Sequence, residues 1–177
     1  MNVVRTIAMV IVVLLCGVII FAATKPNTFR VERAASIKAP PEKIFPLIDD
    51  LRNWGAWSPW EKKDPAMKRT HGGARSGKGA VYEWEGNSDV GAGRMQIVES
   101  SHPSKIRIKL DFTQPFAAHN TTEFRLEPKG DSTVVTWAMH GPAPFISKVM
   151  QVFVSMDSMV GKDFETGLAN LKAVAEK

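Results

Sequence analysis

Few residues of this chain have the types and spacing that acid–base, nucleophilic or metal chemistry requires. No two of its four histidines are spaced as in a metal-binding motif such as H-x-x-x-H: they are His71, His102, His119 and His140. The single cysteine, Cys16, lies in an apolar N-terminal run, and no G-x-S-x-G motif is present, so nucleophilic catalysis lacks a candidate. We therefore expect neither a bound metal nor a cofactor.

Three carboxylates are the candidates for acid–base chemistry: Glu85, Asp157 and Asp163. Such a role requires a carboxylate or histidine that faces a cavity and has a shifted pKa. The alternative is that these residues lie on a helix surface or at the rim of a hairpin, where carboxylates are common. Both interpretations fit the sequence, so catalytic residues stay unassigned.

The strongest signal is aromatic. Of five tryptophans, Trp54, Trp57 and Trp60 fall within residues 53–60. Tryptophan is large and apolar but carries an N–H donor, so a cluster of it fills a core or lines a surface that a ligand contacts. Gly55 and Pro59 disfavour a helix through the segment, which predicts a turn or loop. The three side chains are therefore interpreted either as a core plug or as the mouth of a pocket.

The N-terminal segment between Arg5 and Lys25 carries no charge over 19 residues. As a helix it would span about 28 Å, close to the hydrocarbon thickness of a bilayer. Signal-peptide cleavage after Ala23 would place Phe21 at the −3 position, where a small residue is needed. A lipoprotein anchor at Cys16 is disfavoured because a leucine precedes it. We predict an uncleaved membrane anchor over residues 1–25 and a folded domain over residues 26–177.

Charge leaves the orientation of this single-pass anchor open. Lys25, Arg30, Arg33 and Lys38 follow the apolar segment, which by the positive-inside rule favours a cytoplasmic domain. A short leader with only Arg5 is instead typical of a signal anchor that exports its C-terminal domain. We favour a periplasmic or extracellular domain.

The net charge of +5 and the pI of about 9.4 do not indicate a nucleic-acid partner. The basic residues are scattered, and no run of five like charges or known nucleic-acid module is present. We expect no nucleic acid among the partners, and the membrane to be contacted through the N-terminal helix.

Periodicity predicts an α+β domain. A proline-initiated helix follows the first strand and ends near residue 48, and a helical stretch covers residues 145–175, with Gly161 as the expected kink. In the first strand Arg33 interrupts the apolar face, which indicates an edge position or a bulge. Alternating apolar residues predict strands over residues 29–38, 79–85, 91–100, 105–112, 119–127 and 133–140, with a short one near 67–70.

Four segments carry a resemblance to a known superfamily: A-P-P-E-K-I-F at 39–45, N-W-x-x-W-S-P-W at 53–60, G-x-x-Y-x-W-E-G-N at 79–87 and M-D-x-M-x-G-x-D-F-E-x-G-L at 156–168. With the element order, they make residues 28–177 resemble the START / birch-pollen-allergen-like (SRPBCC) superfamily, in its bacterial polyketide cyclase/dehydrase and lipid-transport branch. The resemblance implies a helix-grip fold, in which a curved antiparallel sheet wraps around a long C-terminal helix and encloses an apolar pocket. Members bind lipids, sterols, polyketides and hormones, and a minority are enzymes.

The expected ligand is a hydrophobic small molecule or lipid, held between the sheet and the C-terminal helix for binding or transport. The expected apolar wall consists of Phe112, Trp137, Met139, Phe153, Val160 and Phe164. The expected polar contacts are Tyr82, Trp84, Asn120 and Thr122, because a dry core would not favour an asparagine and a threonine beside Phe124. Trp54, Trp57 and Trp60 complete the candidate site.

Two alternatives to a binding module stay open. One is a polyketide cyclase or dehydratase that uses a cavity carboxylate or histidine. The other is a structural or interaction module, which a filled cavity and a large exposed apolar patch would indicate.

Overall fold

The computed structural model describes residues 2–177, which form an N-terminal helix and one α+β domain. The helices are α1 (Asn2–Thr24), α2 (Pro41–Asp49), a 3₁₀ helix (Leu51–Ala56), α3 (Pro59–Lys63), α4 (Phe145–Phe153) and α5 (Met156–Ala175). The strands are β1 (Thr28–Ile37), β2 (Lys68–Gly73), β3 (Ala80–Glu85), β4 (Ala92–Ser101), β5 (Lys105–Gln114), β6 (Ala118–Lys129) and β7 (Ser132–Pro142).

The seven strands form one antiparallel sheet in the order β1-β7-β6-β5-β4-β3-β2. Strands β2 to β6 each pair with the next strand in sequence, and β1 pairs with β7, where Thr28 lies opposite Pro142. The long helix α5 packs against this sheet. The predicted helix-grip α+β fold is confirmed.

Alternation of residue types decides which face of the sheet is buried. In β6, Thr122, Phe124 and Leu126 point toward the core, and Phe124 is completely buried. Glu123 lies on the opposite face, as expected when successive side chains of a strand point to opposite sides. The inward residues of β5 and β7 follow the same rule.

The tryptophan segment is helical, so the prediction of a turn or loop was wrong for most of it. Gly55 lies within the 3₁₀ helix, and Pro59 is the first residue of α3. Proline is well tolerated there because the N–H group that it lacks would have no partner inside the helix. Asp50 caps the 3₁₀ helix, because its side chain accepts a hydrogen bond from the backbone N–H of Arg52 at 3.0 Å.

The C-terminal helical stretch is two helices, and the break falls at Val154 and Ser155 instead of the expected Gly161. The Ser155 hydroxyl accepts a hydrogen bond from the backbone N–H of Ser158 at 3.0 Å and so caps α5. Gly161 lies inside α5, where the helix continues through it.

Arg33 lies on β1, an edge strand with unbroken register, so the edge interpretation of this residue is confirmed. Its side chain joins β1 to α5: Nε donates to Glu165 Oε1 at 2.7 Å, and Nη1 donates to Asp157 Oδ1 at 2.7 Å. A Cβ on Gly161 would lie 2.2 Å from Nη2 of Arg33. Because Gly161 has no side chain, the Arg33 guanidinium has room to lie across the helix at this position.

Two further hydrogen bonds hold α5 along β1. Lys172 Nζ donates to the carbonyl oxygen of Ser36 at 2.9 Å, and the backbone N–H of Lys38 donates to Glu176 Oε1 at 2.7 Å. Helix α5 is therefore attached to the edge strand along most of its length.

Helix α1 contains an apolar span, Val3–Thr24, that is long enough to cross a membrane and is exposed along nearly its whole length. A signal sequence near an N-terminus has the same properties, so these features alone do not separate the two. Its Ala22 is buried, and α1 contacts α4.

Candidate functional site

A cavity of about 330 Å³ lies between the sheet and α5. Most of the side chains predicted as site residues line it: Trp54, Trp60, Tyr82, Trp84, Phe112, Thr122, Trp137, Met139, Val160 and Phe164. These residues are far apart in sequence. They come from the tryptophan segment, β3, β5, β6, β7 and α5. The cavity is therefore a product of tertiary packing and belongs to no single motif.

Trp137 is the centre of the aromatic packing beside this cavity. Its indole stacks on Phe164 of α5, with ring centres 4.1 Å apart and planes at 7°, and on Phe124 of β6, at 4.9 Å and 28°. Trp57 and Trp60 meet it edge to face at 5.6 Å and 5.7 Å. Offset-stacked and edge-to-face pairs are the favourable aromatic geometries, so this cluster joins sheet, helix and tryptophan segment.

The three clustered tryptophans have different positions. Trp57 is completely buried, is absent from the described cavity lining, and donates its Nε1–H to the carbonyl oxygen of Leu47 at 2.8 Å. Trp54 is buried yet lines the cavity, and donates to the carbonyl oxygen of Ile48 at 2.9 Å. Trp60 is half-buried and lines the cavity. Trp57 thus occupies a plug position, while Trp54 and Trp60 form wall.

Asn120 and Phe153, both predicted as site residues, also lie outside the described lining. Asn120 is buried beside Gly141, where a Cβ on the glycine would lie 2.1 Å from its Oδ1, so its amide fills space left by that residue. Phe153 ends α4 and is 73% exposed. The expectation for Phe153 assumed one continuous helix, and the break before α5 turns it away from the cavity.

Three polar side chains at one wall of the cavity form a hydrogen-bonded series, and two of them, Glu61 and Arg69, were not predicted from the sequence. The Tyr82 hydroxyl donates to Glu61 Oε1 at 2.8 Å, and Arg69 Nε donates to Glu61 Oε2 at 2.6 Å. Burial, together with the hydrogen bond to Glu61, raises the pKa of the Tyr82 phenol. The hydrogen bond to Glu61 also raises the pKa of the Arg69 guanidinium. Tyr82 is therefore a neutral donor already engaged by Glu61.

The remaining polar wall residues differ in whether they have partners. Lys63 Nζ donates to Asp163 Oδ2 at 2.7 Å, which links α3 to α5. The indole N–H of Trp84 donates to the carbonyl oxygen of Val90 at 3.1 Å. Within residues 2–177, no hydrogen bond engages the hydroxyl of Thr122, and the buried Nε1 of Trp137 has no acceptor. Among the described residues, the wall hydroxyls available to a ligand are those of Thr122, Ser58 and Ser88.

Of the three candidates for acid–base chemistry, only one lies in the cavity wall. Asp163 lines the cavity, whereas Asp157 pairs with Arg33, and Glu85 is exposed outside the described lining. The cavity lining described for the chain includes no histidine. Among the described residues, no group of three or more His, Cys, Asp or Glu side chains could hold a metal ion.

Sequence reasoning missed several wall residues that local pattern could have indicated. Met95 in β4 and Ile108 and Leu110 in β5 are inward positions of alternating strands. Glu61 follows Trp60 directly in sequence, but its place in the wall depends on the register of α3, which was predicted as loop.

Comparison with known proteins agrees with this architecture. The model of the family "Polyketide cyclase / dehydrase and lipid transport" matches residues 28–176. No curated protein matches the chain.

Solved structures share the fold at low sequence identity. Protein CV1439 from Chromobacterium violaceum is 17% identical over 86% of this chain and 99% of its own, with a TM-score of 0.59. Major latex-like protein 151 from Panax ginseng is 16% identical over 86% of this chain and 100% of its own, with a TM-score of 0.59. The Aha1 dimer from Colwellia psychrerythraea is 16% identical over 84% of this chain and 96% of its own, with a TM-score of 0.58. The family match covers the whole folded domain, and the chain belongs to the polyketide cyclase/dehydrase and lipid transport family.

Proposed function

We propose that residues 26–177 bind a hydrophobic small molecule or lipid in the cavity between the sheet and α5, and that residues 1–25 anchor this domain in a membrane. The observation that carries the binding proposal is the cavity itself, which is about 330 Å³ in volume and lined mainly by apolar and aromatic side chains. Ligand sites are commonly concave, apolar and about 300–1,000 Å³ in volume. The cavity is at the small end of that range, which suits a single acyl chain or a compact polycycle.

The polar groups of the wall indicate what else the ligand carries. Tyr82, Trp84, Lys63 and Asp163 are already engaged by neighbouring groups, whereas the Thr122 hydroxyl is available. A ligand that bonds to Thr122 would have an apolar body and one polar group near β6. This arrangement follows the usual division in which apolar walls supply affinity and a few polar groups supply orientation.

The test is native mass spectrometry of the full chain extracted from its membrane, with small molecules identified after release. A Val160→Trp variant should lose the co-purifying molecule, because Val160 lines the cavity. A Val98→Trp variant is the matched control, since Val98 is exposed and outside the described lining. Absence of any bound molecule in the natural chain, or equal occupancy in both variants, would overturn the proposal.

Membrane anchoring rests on the exposed apolar span of α1. We propose that this helix is retained and that the domain faces the periplasm or the cell exterior. N-terminal sequencing of the mature chain tests retention, and protease digestion of intact cells tests orientation. A mature chain that begins after residue 24 would identify α1 as a signal sequence.

A cyclase or dehydratase is the second candidate, because three carboxylates, Glu61, Asp89 and Asp163, line the cavity. Acid–base catalysis would need one of them to exchange a proton with the substrate. Glu61 is held in an ion pair with Arg69 and Asp163 in one with Lys63, while Asp89 is exposed in the turn between β3 and β4, which favours a binding role. Glu61→Gln should abolish turnover of a polyketide-like substrate if the enzyme reading is right, whereas the exposed Glu85→Gln should not.

A further inference from the structure

We propose that the domain docks on the bilayer surface through α4 and the β5–β6 loop, so that the cavity opens toward the membrane and takes up its ligand from there. We call these two segments the docking face. The inference rests on the proposed function, because it requires α1 to stay in the membrane and the cavity to bind a lipid-soluble molecule.

The tether between the anchor and the domain is short. Helix α1 ends at Thr24 and β1 begins at Thr28, so the connection can extend at most about 14 Å. It is also fixed to the start of α4: the carbonyl oxygen of Asn27 accepts a hydrogen bond from the N–H of Ala143 at 2.7 Å, and its side chain accepts one from Lys148. Lys148 is buried in this contact. The domain therefore cannot move α4 far from the end of the anchor.

The pairing of β1 with β7 places α4 at the membrane end of the domain. Thr28 lies opposite Pro142, and α4 begins three residues later at Phe145. Helix α4 also contacts α1 directly. The surface nearest to the bilayer is thus α4.

Helix α4 presents to solvent the side chains that a bilayer interface would bury. Its exposed apolar residues, with the residue that follows it, are Phe145, Ile146, Met150, Phe153 and Val154. Exposed apolar patches of this kind mark interaction surfaces, and a helix with such a face binds at the headgroup boundary. Residues 143–156 contain no aspartate or glutamate, so an anionic bilayer would not repel this segment.

The β5–β6 loop lies at the same end of the sheet. Because β6 pairs with β7 so that Thr121 lies opposite His140, the loop that precedes β6 emerges beside the end of β7. Phe116, in this loop, is 73% exposed. A further exposed aromatic side chain thus lies at the same end of the sheet as α4.

The cavity reaches the docking face. Gln114 and Pro115, immediately before Phe116, line it, and so does the exposed Met159 in the first turn of α5. A lipid-soluble ligand that enters between these residues would pass from the bilayer to an apolar wall with little exposure to water. This continuity favours a bilayer over a protein as the occupant of the face.

The test uses the full chain in lipid nanodiscs that contain phosphatidylcholine and phosphatidylglycerol. In a Cys16→Ser background, single cysteines replace Phe153, Phe116 and, as the control at the opposite end of the sheet, Lys129, the last residue of β6. Each carries a fluorophore that brominated lipid quenches. We expect quenching at positions 153 and 116 and none at position 129.

Two results would overturn docking without affecting the anchor or the cavity. One is a label at position 153 that is as accessible to a water-soluble quencher as the label at position 129. The other is a label shielded from water but not quenched by brominated lipid, which would show that a protein surface covers α4. Loss of the chain from the nanodisc would overturn anchoring and docking together.

Uptake of a fluorescent fatty acid from vesicles separates docking from binding. Phe153→Ser combined with Phe116→Ser should slow uptake about tenfold, while affinity for the same probe in detergent stays unchanged. The cavity variant Val160→Trp should instead lose the probe in both settings. Uptake at the natural rate by the double serine variant would overturn the docking proposal and leave the cavity proposal standing.

Discussion

Gly167 of α5 lies directly against the indole of Trp137, so that a Cβ on the glycine would be 2.7 Å from Cζ3 of that ring and 3.1 Å from Cδ of Pro59. This close approach lets Trp137 stack on Phe164 of the same helix. The absence of one side chain therefore sets the distance between helix and sheet at the deep end of the cavity.

Gly167→Ala should destabilise the domain although alanine favours helix by about 1 kcal/mol. The methyl group would push against a ring that is packed on both faces, and overpacking of this kind costs about 1–3 kcal/mol. Gly161→Ala is the matched control in the same helix. Its Cβ would meet the end of the long Arg33 side chain, which can shift, and the largely exposed ion pairs of Arg33 contribute about 0–1 kcal/mol. Urea unfolding of both variants checks this, and equal midpoints would contradict it.

Trp57→Ala should lower the free energy of unfolding by about 3–5 kcal/mol, because it empties a completely buried position and removes the donor to Leu47. Affinity for the cavity ligand, measured below the unfolding transition, should change little. Trp60→Ala should instead weaken ligand binding and cost less stability, since that side chain is half-buried and lines the cavity. Loss of ligand in Trp57→Ala with unchanged stability would place Trp57 at the entrance instead.

Thr122→Val should weaken ligand binding about tenfold, as expected for one lost hydrogen bond, with little effect on stability. The substitution keeps the shape and removes a hydroxyl that has no partner within the described chain. Thr133→Val is the matched control, because the hydroxyl of buried Thr133 donates to the carbonyl oxygen of Ala39 at 2.7 Å. It should cost about 1–3 kcal/mol of stability and leave binding unchanged. Calorimetric titration and thermal melts distinguish the two.

Glu123 should make part of the stability depend on pH. Burial alone would raise its pKa, but the hydrogen bond and charge of Arg125, the charge of Lys105 and the hydrogen bond from Arg107 lower it below the usual 4.5. A carboxylate whose pKa is depressed on folding contributes stability above its unfolded pKa, and the contribution disappears as the pH falls through the folded value. The natural chain should thus lose more stability between pH 6 and pH 3.5 than Glu123→Gln in urea unfolding, and parallel losses would contradict this.

Alternation and turn residues were sufficient to predict most of the sheet. In β5, Ile106 and Ile108 alternate with Lys105 and Arg107, and the observed burial follows that pattern. The break in the last helical stretch was not predictable from Gly161, because the cap at Ser155 decides it through a single local hydrogen bond.

The candidate site was less predictable than the fold. Residue type marked Trp54, Trp57 and Trp60 as important but could not separate wall from plug, because that depends on how the 3₁₀ helix and α3 rotate them. Glu61 was not predicted as a wall residue for the same reason. Phe153 was misplaced because its helix ends there, about two turns before the kink expected at Gly161.

The attachment of α5 to β1 also protects the sheet against aggregation with other copies of the chain. Edge strands expose unpaired main-chain groups that can recruit another chain into the sheet. Side chains from Lys172 and Glu176 occupy the carbonyl of Ser36 and the amide of Lys38 near the end of β1. The other edge, β2, is six residues long and ends in two glycines. One edge is covered and the other is short, so the sheet is a poor template for edge-to-edge aggregation.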